Sequence, residues 1–74
     1  MRKTVLVVTP TAADFEFWRR CNPGMARAAR HVDRLDAIQK AEAECSVVYF
    51  ADWTSIPRAH EIAAIARERG YGQL

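Results

Sequence analysis

The chain has 74 residues, half of them hydrophobic and 27% charged, with a formal net charge of +2. That balance excludes the polar, charge-rich composition of a disordered segment, and so small a charge does not call for a polyanionic partner. A chain this short buries only about 60% of the surface that its unfolded form exposes, so a metal, disulfides or a partner surface is expected to help hold it together.

Met1-Arg2-Lys3 has the basic start of an export signal, but the apolar run Val5 to Val8 is too short for one and Thr9-Pro10 follows at once. No stretch approaches the roughly 20 apolar residues that span a bilayer. A cytoplasmic protein without membrane contact is predicted, with Cys21 and Cys45 reduced.

Thr4 to Thr9 is an apolar, β-branched run without alternation, which predicts a strand buried on both faces. Thr11-Ala12-Ala13-Asp14 has the spacing of a capping box and opens a helix over about 12–20, with Phe15 and Trp18 three apart on one face and Phe17 beside them. Asn22-Pro23-Gly24 breaks the chain.

Residues 25–45 permit two readings. Met25, Ala28, Val32, Leu35 and Ile38 suit one long central helix between two strands. Alternatively, a short edge strand at Ala29 to Val32 precedes a helix over 34–44 capped by Asp33, with Asp36 three residues on. The second reading is favoured. Residues 46–51 form another unalternated apolar run, and only an intervening strand lets it return parallel to the first.

The final helix, over 57–69, has Ala59, Ile62, Ala63, Ala66 and Gly70 on one narrow face, with Thr54 and Ser55 as candidate caps and Gly70 and Gly72 as terminators. The prediction is a single α/β domain over 1–74: a β-α-β-α-β-α unit with a short parallel sheet in the order 2-1-3. Its right-handed connections put the first helix on one face and the other two on the opposite face.

In such sheets ligands bind beyond the carboxyl ends of the strands, where the strand order reverses. The candidates there are Thr9, Thr11 and Asp14 on one side and Asp52, Trp53, Thr54, Ser55 and Arg58 on the other. Hydroxyls, carboxylates, an indole and a guanidinium suit a small polar ligand, and a minimal nucleotide- or nucleoside-handling enzyme is the alternative function they support. Helix caps and an aromatic covering the sheet end account for the same residues without a ligand.

Neither glycine-rich phosphate motif occurs. Cys21, His31, Cys45 and His60 lack the paired spacings of a zinc site, so neither a metal nor a cofactor is predicted. Arg19, Arg20, Arg27, Arg30 and Arg34 are diluted by Asp33, Asp36, Glu42 and Glu44 and have no interleaved aromatics, which disfavours nucleic acid as a partner.

Val47 to Trp53, followed by Ala59, Ala66 and Gly70, resembles the last strand and helix of nucleoside 2-deoxyribosyltransferase-like proteins over about a third of the chain. That family's pattern has an acidic residue where Ile62 stands, so no nucleophile carries over. In brevity and architecture the chain is also similar to small accessory proteins of bacteriophages.

The favoured function is a noncatalytic protein-interaction module, either a homodimer or a subunit docked on a larger protein as an inhibitor or adaptor. One helix cannot cover two neighbouring buried strands, and an uncovered apolar strip needs a partner. Phe15, Phe17, Trp18 and Tyr49 are the residues expected to border that contact.

Overall fold

The computed structural model describes residues 4–74, so Met1, Arg2 and Lys3 and the export argument built on them lie outside the described residues. Four strands, β1 (Thr4–Val8), β2 (Ala29–Val32), β3 (Cys45–Tyr49) and β4 (Gly72–Gln73), form one parallel sheet in the order β2-β1-β3-β4. Three α-helices connect them: α1 (Ala12–Cys21), α2 (Leu35–Gln39) and α3 (Ala59–Glu68). β1 lies between β2 and β3, and Val5, Leu6, Val7 and Val8 are all buried, as an unalternated apolar run between two helical layers requires.

Residues 25–32 form a 3₁₀ turn at Ala26–Ala28 and then β2, which excludes the long central helix. β2 pairs with β1 from Val5↔Ala29 to Val8↔Val32. Buried Ala29 joins Val5, Val7 and Trp18 under α1, while Val32 joins Leu6, Val8, Ile38, Val47 and Ile62 under α2 and α3. The two cores follow directly from the period of two along each strand.

Three expectations need correction. First, α2 stops at Gln39 rather than running over 34–44, and Asp33 does not cap it: the N-cap is Arg34, whose Nε donates to the Asp33 carboxylate at 3.3 Å. The carbonyls that a longer helix would use are taken by Arg69, which donates to Ile38 at 2.8 Å and to Gln39 at 2.9 Å. Second, α3 begins at Ala59, two residues late, because Thr54 and Ser55 belong to a separate 3₁₀ turn, Trp53–Ser55, and cap nothing there. Third, Gly72 does not terminate α3 but enters β4, a strand too short to leave a recognisable pattern.

Gly70 does end α3. Its φ of +74° is the left-handed conformation that glycine adopts most cheaply. The amides of Gly70 and Tyr71 donate back to the carbonyls of Arg67 and Ala66, the double bond of a Schellman motif, and the reversal delivers Tyr71 into the core. On the packed face Ala59, Ile62 and Ala66 are buried, but Ala63 is half-buried and lines a cleft instead.

Candidate functional site

The polar residues at the carboxyl ends of the strands sit in two loops, and their hydrogen bonds run within each loop. Thr11 caps α1 as expected: its Oγ1 accepts from the Asp14 amide at 3.1 Å and donates to the Asp14 carboxylate at 2.9 Å. In the other loop Ser55 Oγ donates to the Asp52 carbonyl at 2.8 Å, and Thr54 Oγ1 donates weakly to the Asp52 carboxylate at 3.5 Å. Arg58 pairs with Glu61 at 2.6 Å in the first turn of α3. The loop is bracketed by two non-glycine residues at positive φ, Ala51 at 57° and Arg58 at 62°, a conformation that costs each roughly 1–2 kcal/mol.

Thr9 is different. It is fully buried, and among the described residues its Oγ1 has no hydrogen-bond partner, while its carbonyl accepts from His31 Nε2 at 2.9 Å. That bond sets the His31 tautomer, because a carbonyl can only accept. The His31 ring then stacks on Phe15, with centroids 4.9 Å apart and planes 12° apart, closing the junction of β1, β2 and α1. Trp53 turns away from the α1 side and packs on Tyr49, at 4.5 Å between centroids.

The second candidate region is the α1-facing side of β3. α1 lies over β1 and β2, where Trp18 is buried against Val5, Val7 and Ala29. Trp18 is only 5% exposed, so it is a core residue and not the interface residue expected from the sequence. At β3, Phe17 is 56% exposed and stacks on half-buried Phe50, with centroids 6.1 Å apart.

Val48 lies on the same face as Phe50. Leu74 extends the strip outward, since its amide donates to the Val47 carbonyl at 2.9 Å and the β3–β4 register therefore places it opposite Val48. Leu74 is 61% exposed, and it and Phe17 are the two exposed large hydrophobic residues among the described ones. Tyr49, also expected at the interface, alternates to the other face and packs beneath α3. Phe15 is half-buried over His31. Of the four sequence candidates, only Phe17 stands on the uncovered strip. Phe50 and Leu74 were missed as its members, although the period of two already put Phe50 with Val48.

Among the described residues there is no helix long and apolar enough to cross a membrane and no group of three or more His, Cys, Asp or Glu side chains that could hold a metal ion. Cys45 is buried and Cys21 exposed, on separate elements. No protein-family model, curated protein or solved structure matches the chain.

Proposed function

We propose that this chain is a noncatalytic protein-interaction module that associates with a second copy of itself through the α1-facing side of β3. The observation that carries the reading is the Phe17–Phe50 stack, an aromatic pair left more than half open on Phe17 beside Val48 and Leu74. Burying apolar surface contributes roughly 25 cal/mol per Å², so about 400 Å² would favour association by about 10 kcal/mol before the cost of joining two chains.

A second copy suits this strip because a two-fold axis lets the same patch serve both partners. The polar rim of α1 carries both signs, with Glu16 and Arg19 paired at 3.1 Å, so a symmetric contact need not oppose like charges. Tyrosine, tryptophan and phenylalanine are the residues enriched in such interface cores.

Sedimentation velocity over a micromolar to submillimolar series tests the reading. The sedimentation coefficient of the wild type should rise with concentration, and Phe17→Asp, an exposed substitution that spares the core, should hold the protein monomeric with unchanged circular dichroism. A wild type that sediments as a folded monomer at every concentration overturns it.

A further inference from the structure

On the opposite face of the sheet, α3 and the β3–β4 edge enclose a cleft of about 320 Å³, near the lower end of the range for small-molecule sites. β4 pairs with β3 at Ser46↔Gly72 and Val47↔Gln73, which brings Gln73 to its edge. The helix above contributes half-buried Ala63, which is too short to fill the space.

The walls are aromatic. Tyr49 and Trp53 meet at 4.5 Å with their planes 38° apart, and Tyr71 closes the inner end. Arg67 and Gln73, both exposed, stand at the rim. Among the described residues Arg67 has no carboxylate partner, and its neighbours three and four positions away, Ala63 and Ala64 on α3 and Gly70 and Tyr71 just beyond it, carry no acid. Burial raises the Tyr49 hydroxyl above its ordinary pKa, while the charge of Arg67, which lines the same cleft, acts against that rise.

We propose that this cleft binds a small planar aromatic molecule bearing a carboxylate or phosphate, its ring against Tyr49 and Trp53 and its acid group on the Arg67 guanidinium. Aromatic walls take a flat ring by offset or edge contacts, and an arginine fork grips either acid through two parallel hydrogen bonds. The Gln73 amide can donate and accept, and so can read a ring substituent at the open edge. The site lies on the face away from the Phe17–Phe50 strip, so it stands or falls independently of self-association.

The two tryptophans make the test internal, because Trp53 lines the cleft while Trp18 is buried on the other face. In ¹⁵N-labelled protein, phenylacetate and phenyl phosphate should move the Trp53 indole N–H signal saturably and leave that of Trp18 in place. Phenylacetamide, of the same shape without the charge, should bind about tenfold more weakly or worse.

Arg67→Gln should reduce phenylacetate to the affinity of phenylacetamide, and Ala63→Leu, which fills the cleft, should abolish both shifts without lowering the melting temperature. Equal affinity for acid and amide, an Arg67→Gln protein that binds the acids undiminished, or no saturable Trp53 shift with any of the three probes would overturn the proposal.

Discussion

Arg69 and Ile38, 31 residues apart in the chain, are joined by a 2.8 Å hydrogen bond from the guanidinium Nη1 to the main-chain carbonyl. The same guanidinium donates to Gln39 at 2.9 Å and to the Tyr71 hydroxyl at 3.1 Å, and that hydroxyl donates in turn to the Glu42 carbonyl. One residue at the end of α3 thus donates to the last two carbonyls of α2, whose own sequence supplies no C-terminal glycine.

Arg69→Lys should therefore destabilise the fold although the charge is kept, because an ammonium cannot span the same set of acceptors. The expected loss is about 1–2 kcal/mol, below that of a fully buried charge-assisted network since the side chain is largely exposed. Urea denaturation measures it. Combined with Tyr71→Phe, the loss should fall short of the sum of the single losses, as the two residues share one network. Arg69→Lys with an unchanged midpoint would mean that the network contributes nothing.

The packed face of α3 makes a sharper comparison. Ala66 is 2% exposed, whereas Ala63 borders the open cleft and Glu68 is exposed. Ala66→Leu should cost about 1–3 kcal/mol through overpacking, while Ala63→Leu and Glu68→Leu should stay within about 0.5 kcal/mol. Thermal melts of the three variants would rank them, and a tolerated Ala66→Leu would contradict the placement of the face.

Thr9→Val removes a buried hydroxyl that has no partner among the described residues and keeps the β-branched shape. Stability should hold or rise by up to about 1 kcal/mol, because an unsatisfied polar group costs free energy to bury. A loss larger than that on chemical denaturation would show that the hydroxyl makes a stabilising contact.

High pH should weaken the fold. Burial, foremost, raises the Cys45 thiol above its ordinary pKa of 9.0, and burial likewise raises the Tyr49 hydroxyl above 10.0. Below 9.0 the thiol is protonated in both the folded and the unfolded chain, so its contribution is fully present. As pH climbs past that value the unfolded chain releases the proton first and stability falls, by at most about 1.4 kcal/mol per pH unit for one group. Cys45→Ser should flatten the decline between pH 9.0 and 10.0, with Tyr49 adding to it beyond. In native protein iodoacetamide should modify exposed Cys21 well before Cys45. A wild-type stability that is level across this range would refute the linkage.

The sequence by itself determined the class and the order of the elements. Unalternated runs at 4–9 and 46–51 can only be satisfied between two layers, and the parity of parallel strands forced β2 out of an otherwise helical-looking stretch. Local chemistry also settled the Thr11 cap and the Gly70 stop, since each acts on its own few residues. Only the tertiary structure decided where α2 ends, because Arg69 reaches it from 31 positions away, and that Trp18 turns inward while Phe17 stays out over Phe50. It alone revealed β4, two residues that become a strand through pairing with β3 rather than through any pattern of their own, and the cleft beside them. Periodicity assigns a side chain to a face, but whether that face is covered depends on how far each crossover carries its helix across the sheet, which is a property of the assembled layers.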